Sequence, residues 1–197
     1  MKDLVIFDGV LKIGKHVIIK NVDNFDNFKD VLCVFRNYPY NEILSDEDCK
    51  DEYVLYNENG YIFGCYLDGN ITGINCILND VPKEYSIGFE DTKKVAYYSG
   101  LAVKDKYRNL GIGKMLVSKT QDYLEKCGKY DYAFARILCE GSMSEGIFSK
   151  YGFSDAYFDG KIITDDVSYL RGDGMVRSDK RKYMVKRMSN NNSFFRR

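Results

Sequence analysis

Arg108-Asn109-Leu110-Gly111-Ile112-Gly113-Lys114 stands between a strand-like run, Val95 to Val103, and a helix-like run, Ile112 to Cys127. Glycines at 111 and 113 remove Cβ atoms where the chain turns from strand into helix. The backbone N–H groups of the first helical turn can then converge on a phosphate. The helix dipole adds roughly half a positive charge at that point. Two better-known phosphate loops are excluded by spacing. The dinucleotide fingerprint needs a third glycine where Leu116 stands, and the nucleoside-triphosphate loop needs glycine at Arg108 and Ser or Thr at Met115.

The pattern that does fit is Arg/Gln-x-x-Gly-x-Gly/Ala between a strand and a helix, filled by Arg108, Gly111 and Gly113. In this the chain resembles the GCN5-related N-acetyltransferases (GNAT), whose acetyl-CoA loop has that form. Leu101-Ala102-Val103 is similar to the end of the family's central strand. Phe148-Ser149-Lys150-Tyr151-Gly152-Phe153 is similar to its helix-to-strand junction ending in Gly-Phe. The resemblance covers roughly residues 93 to 158. It implies an α+β fold: a mixed, mostly antiparallel sheet splayed at its centre, with helices on both faces.

At 197 residues the chain is one domain by length, expected over 1–188, with a polar tail at 189–197 expected to be disordered. Lys plus Arg and Asp plus Glu number 29 each, so no net field attracts nucleic acid or an anionic membrane. Six cysteines (33, 49, 65, 76, 127, 139) are irregularly spaced, lack a Cys-x-x-Cys pair and follow no secretory leader. They read as reduced, mostly buried thiols of a cytoplasmic protein. His16 is the only histidine, and no cysteine pair has ligand spacing, so no metal is expected. No apolar run approaches the roughly 20 residues a membrane-spanning helix needs.

Periodicity and turn chemistry give the element order. Asp8-Gly9 between Leu4–Phe7 and Val10–Ile13 predicts a small hairpin, and His16 to Asn21 a strand. Asp23 or Asn24 can cap a helix carrying Phe25, Phe28, Leu32 and Phe35 and ending before Pro39. Ser45 to about Asp51 reads as a short acidic helix, and Tyr53 to Tyr56 as strand or extended loop. Asp68-Gly69-Asn70 predicts a hairpin between Tyr61–Leu67 and Ile71–Leu78. The helix after the glycine loop stops at Gly128. Asp131 to Leu138 is a strand, Ser142 to Lys150 a short helix, and Phe153–Phe158 and Tyr183–Met188 are strands. Lys161 to Arg181, containing Arg171-Gly172-Asp173-Gly174, reads as a long loop suited to a lid.

What the resemblance implies for the site is specific. The backbone of Leu101 and Val103, flanking Ala102, would pair with the amides of the pantetheine arm. The pyrophosphate would sit on the N–H groups of Arg108, Asn109, Leu110, Gly111, Ile112, Gly113 and Lys114. Lys104, Lys106 or Lys114 would reach a 3′-phosphate. The family's usual acid, a tyrosine four residues before the Gly-Phe glycine, is Phe148 here, and its frequent base, a glutamate, is Tyr97. Tyr97 can relay a proton through water, although an unperturbed phenol of pKa about 10 is a poor base. Three alternatives stand: Tyr151, Ser142 or Ser144 takes over as acid; the thiolate leaves unassisted; or the chain binds acyl-CoA without turnover. The expected activity is acetyl transfer from acetyl-CoA, a co-substrate, to a primary amine of a small molecule or peptide. A non-catalytic acyl-CoA-binding or regulatory module is the alternative, and a homodimer is left open. Asp46-Glu47-Asp48 and Asp51-Glu52 would lie at the acceptor wall, which favours a cationic acceptor.

Overall fold

The computed structural model describes residues 4–11, 14–37, 45–83, 94–140, 142–170 and 174–188. In chain order these form β1 (Val5–Val10), β2 (His16–Asn21), α1 (Phe25–Asn37), α2 (Asp46–Asn59), β3 (Gly60–Leu67), β4 (Asn70–Leu78) and β5 (Val95–Val103). There follow α3 (Ile112–Cys127), β6 (Tyr132–Leu138), α4 (Met143–Lys150), β7 (Ser154–Asp155), β8 (Tyr157–Phe158), β9 (Lys161–Ile162), β10 (Thr164–Leu170) and β11 (Val176–Arg187). The main sheet runs β1-β2-β3-β4-β5-β6-β11-β10, with β7 also on β11. Every described pairing in it is antiparallel except β5 with β6.

Helices cover both faces. Phe28, Val31 and Leu32 of α1 and Tyr56 of α2 pack on Ile62, Tyr66 and Ile74. Leu116 and Leu124 of α3 and Phe148 of α4 pack on Phe63, Tyr98 and Met184 from the other side. Strand β3 is therefore buried along its whole length, which explains why its sequence is continuously apolar instead of alternating.

Local chemistry accounts for the helix starts. Asn24, not Asp23, caps α1, its Oδ1 accepting from the N–H groups of Asp26 at 2.8 Å and Asn27 at 3.2 Å. Ser45 and Asp48 form a reciprocal capping box on α2. Asp68 and Gly69, at φ 48° and 82°, make the turn between β3 and β4 as expected from their sequence.

Four expectations are corrected. Asp8-Gly9 lies inside β1, opposite Val17 and Ile18, and the first hairpin turns between Leu11 and Lys15, where Gly14 takes φ 76°. Strand β2 thereby gains a partner along nearly its whole length. Tyr53 to Tyr56 is not extended: α2 continues to Asn59 and buries Tyr56 under α1. Phe153–Phe158 is not one strand but breaks into β7 and β8. Finally, the described residues between 161 and 181 are mostly strand, not loop. The β10–β11 hairpin fills most of them, pairing from Thr164↔Lys182 to Leu170↔Val176. The polar inward residue Asp165 disguises this strand in the sequence, because its partner Arg136 lies on β6. The tip residues 171–173 and the tail 189–197 lie outside the described residues.

Candidate active site

Strands β5 and β6 pair in parallel from Val95↔Tyr132 to Tyr98↔Ala135, and there the pairing ends. Strand β5 runs on to Val103 and β6 to Leu138, so a wedge opens in the middle of the sheet. Exposure follows this geometry: Val95 to Tyr98 are buried, whereas Ser99, Gly100, Leu101 and Val103 are half-buried. At the apex of the wedge β5 carries a bulge. Cys76 opposes Gly100 and Ile77 opposes Tyr98, leaving Ser99 as the extra residue. The bulge switches the side-chain faces. Before it Tyr98 faces α3 and Tyr97 faces away. Beyond it Leu101 and Val103 pack on the α3 side and Ala102 on the α1 side.

Backbone direction along the wedge is fixed by a single bond: the Lys104 N–H donates to the Thr72 carbonyl at 2.9 Å, hence toward β4. Alternation sets the Ala102 backbone toward β4 as well and turns the N–H and C=O of Leu101 and Val103 into the wedge. These groups form a strand edge lined up toward the start of α3, with the Val103 carbonyl at its far end taken by Arg108.

The loop from Arg108 to Lys114 closes the wide end. Asn109 and Gly111 both adopt left-handed conformations, φ 64° and 80°, and carry the chain from a short 3-10 turn at Asp105–Tyr107 into α3. No side chain caps α3. In contrast with α1 and α2, its first-turn N–H groups, including those of Ile112 and Gly113, are left for another acceptor. Gly113 lies beside the wedge wall, where a Cβ would make ordinary contacts at 3.6 Å with Ile147 Cδ1 and 3.7 Å with Val103 Cγ2. Arg108 braces the loop, its Nε donating to the Val103 carbonyl at 3.4 Å and a terminal nitrogen reaching Asp105 at 2.8 Å. Lys104 is tied to Asp30 on α1, whereas Leu110 and Lys114 are exposed beside the helix start.

The acetyltransferase (GNAT) family model matches residues 25–153, from α1 through the Gly-Phe junction. This chain belongs to the GNAT family. Among solved structures it is similar to the ribosomal-protein-S18-alanine N-acetyltransferase from Escherichia coli: 15% identity, 92% of this chain and 99% of that one covered, TM-score 0.65. An N-acetyltransferase from Staphylococcus aureus Mu50 matches with 13% identity over 88% of this chain and 99% of its own, TM-score 0.64. Arabidopsis thaliana Naa50, in complex with the bisubstrate analogue CoA-Ac-MVNAL, matches with 15% identity over 86% and 97%, TM-score 0.58. No curated protein sequence matches the chain significantly.

On this GNAT scaffold the residues singled out for proton transfer are spread apart. Phe148 lies at the apex of the wedge, packed between Tyr98 and Phe153, and offers no proton. Ser144 is one turn above it on α4, toward the open end, and Ser142 is the residue before that helix. Tyr151 ends α4 one turn below Phe148, past the apex, beside the Gly152 turn. Tyr97 is buried on the opposite face with its ring 5.1 Å from Phe134, which in turn meets Tyr183 at 5.1 Å. Sequence reasoning did not single out Ser99, Tyr56, Arg136 or Asp165. Ser99 Oγ lies 3.0 Å from the Tyr56 hydroxyl and 3.3 Å from the Cys76 carbonyl. Burial pushes the Tyr56 phenol up more than its bond to Ser99 lowers it, so it keeps its proton. Arg136 and Asp165 form a bidentate pair on the same face as Phe134, and an arginine within an apolar strand was the available sequence signal.

Two members of the acidic cluster have structural tasks. Asp46 pairs with Lys29 at 2.5 Å and Asp48 closes the capping box; these bonds hold both carboxyls below the ordinary range. Among the described residues no group of His, Cys, Asp and Glu could hold a metal ion. No described helix is long and apolar enough to cross a membrane.

Proposed function

We propose that this protein transfers the acetyl group of acetyl-CoA to the primary amine of a small molecule or a peptide, acting as one domain over residues 1–188. The observation that carries this reading is the wedge beyond Tyr98 and Ala135, opening directly toward the uncapped start of α3. The residues present suit the co-substrate. The N–H and C=O of Leu101 and the N–H of Val103 suit the two amides of the pantetheine arm, while the Val103 carbonyl accepts from Arg108. The first-turn N–H groups from Ile112 to Lys114, with the loop from Arg108 to Gly111, offer an anion seat for the pyrophosphate. Exposed Lys114 adds a cation near the same seat.

With the arm held along β5, the thioester would reach the apex at Ser99, and the amine would enter from the α1–α2 face. Such orientation can supply about 7 to 11 kcal/mol of barrier reduction. The attacking nitrogen must be neutral, so the rate is expected to rise with pH until the amine has lost its proton. Peptide acceptors are included because Naa50 is solved with a peptide-bearing analogue. All six cysteines are free thiols, which supports the proposal of a reducing, cytoplasmic setting.

The test is a thiol-release assay with acetyl-CoA against small amines and peptides with free N-termini. Release with any of them supports the transferase. Tight acetyl-CoA binding with no release across the panel would instead favour a non-catalytic acyl-CoA-binding module.

A further inference from the structure

We infer that Ser99 is the group that moves the proton from the acceptor nitrogen to the departing thiolate, and that the Tyr56 hydroxyl positions it. The inference rests on the transferase reading above and adds a catalytic residue to it. Three observations on the chain converge. First, Ser99 is the bulged residue at the point where β5 and β6 part, the deepest place a linear molecule lying in the wedge can reach. Second, the residue α4 presents at this level is Phe148, buried and edge-on to Tyr98, so no hydroxyl arrives from that helix. The Tyr98 phenol is itself committed to Gln121 Oε1 at 3.0 Å and fully buried beneath α3. Third, Ser99 is half-buried, with its Oγ on the α2 side, from which an amine would enter.

The hydrogen-bond inventory around Ser99 suits a shuttle. Its one proton has two acceptors in reach, the Tyr56 oxygen at 3.0 Å and the Cys76 carbonyl at 3.3 Å. It can satisfy only one at a time, and a hydroxyl accepts as well as donates. Tyr56 is held from three sides, by Phe28 of α1, by its own helix and by Ser99, and fixes the rotamer of Ser99 without touching substrate. In the step itself the amine nitrogen bonds to the thioester carbonyl carbon and the carbon–sulfur bond breaks, its electron pair leaving with sulfur. Ser99 gives its proton to that sulfur and takes one from the newly acylated nitrogen. One proton has passed from nitrogen to sulfur, and Ser99 and Tyr56 end as they began. No further reactant is required.

The experiment uses the full chain and three variants, Ser99→Ala, Ser99→Thr and Tyr56→Phe, with the amine that gives the fastest thiol release. Calorimetry measures acetyl-CoA affinity, and kinetics separate kcat from KM. Ser99→Ala should bind acetyl-CoA and amine as the parent does but lose about 100-fold in kcat. Ser99→Thr, which keeps the hydroxyl on a strand-compatible side chain, should recover most of it. Tyr56→Phe should lose less than Ser99→Ala, again in kcat. A folded Ser99→Ala protein with parental kcat overturns the assignment of Ser99 and leaves the transferase reading intact. Losses in Ser99→Ala confined to KM or to acetyl-CoA affinity overturn it too, because they describe packing. If the parent binds no acetyl-CoA, both fall together. Should Ser99→Ala fail to fold, Tyr56→Phe decides alone, and parental kcat in it rejects the proposal.

Discussion

Phe148 sets its ring edge-on against Tyr98, with centroids 5.5 Å apart and planes at 85°. Phe153 adds an edge-on contact to each ring, at 5.0 Å and 66° from Phe148 and at 5.5 Å and 89° from Tyr98. The three rings fasten α4 to β5 at the apex of the wedge, so position 148 is a packing position in this chain. Truncation to Phe148→Ala should cost about 3 to 5 kcal/mol, read as a lower midpoint in urea unfolding. A loss under 1 kcal/mol would show that the aromatic cluster does not hold α4 in place.

Gly113→Glu should abolish acetyl-CoA binding while leaving the fold intact. Its Cβ meets nothing closer than 3.6 Å, so the substitution is tolerated sterically, yet it brings a negative charge to the helix start that would seat the pyrophosphate. Calorimetry on the folded variant decides: unchanged affinity would move the anion site away from the 108–114 loop.

Arg136 and Asp165 join β6 to the β10 edge through a nearly closed pair, with side-chain exposures of 8% and 24%. Removing the carboxylate in Asp165→Ala takes a bidentate, charge-assisted partner from a buried guanidinium, and a cost of about 2 kcal/mol is expected. The double variant Arg136→Leu with Asp165→Leu should regain much of that loss. Equal stability of Asp165→Ala and the parent in denaturant titration would mean that water reaches the pair freely.

Glu125 connects α3 to β11. Burial raises its carboxyl, but the bonds from Lys186 at 2.8 Å and Gln121 at 2.9 Å outweigh it, and the net shift is downward. A depressed carboxyl stabilises the fold above the ordinary glutamate value of about 4.3 and loses that contribution as pH falls through the lower folded value. Glu125→Gln should therefore be less stable than the parent at pH 6, and the gap should close in acid. Thermal melts of both proteins from pH 6 to pH 3 test this; a gap that stays constant would assign the difference to packing.

Some of this protein was legible in short stretches of sequence. The left-handed turn at Asp68-Gly69, the limits of α3 at Gly111 and Gly128, and the glycine loop between strand and helix were all readable, because each depends on backbone sterics and periodicity within a few residues. The placing of Tyr56 was not, nor that of Ser99. The bulge that makes Ser99 the extra residue exists only in the pairing of β4 with β5, and it reverses which side chains of β5 face α3. Tyr56 lies 43 positions away on a helix whose second half reads as extended chain. Asp165, 29 positions from Arg136, looks like a loop residue until the sheet supplies its partner. A strand carries no local record of its neighbours, since its hydrogen bonds and ion pairs are made with distant segments, and only the assembled sheet decides which side chains meet.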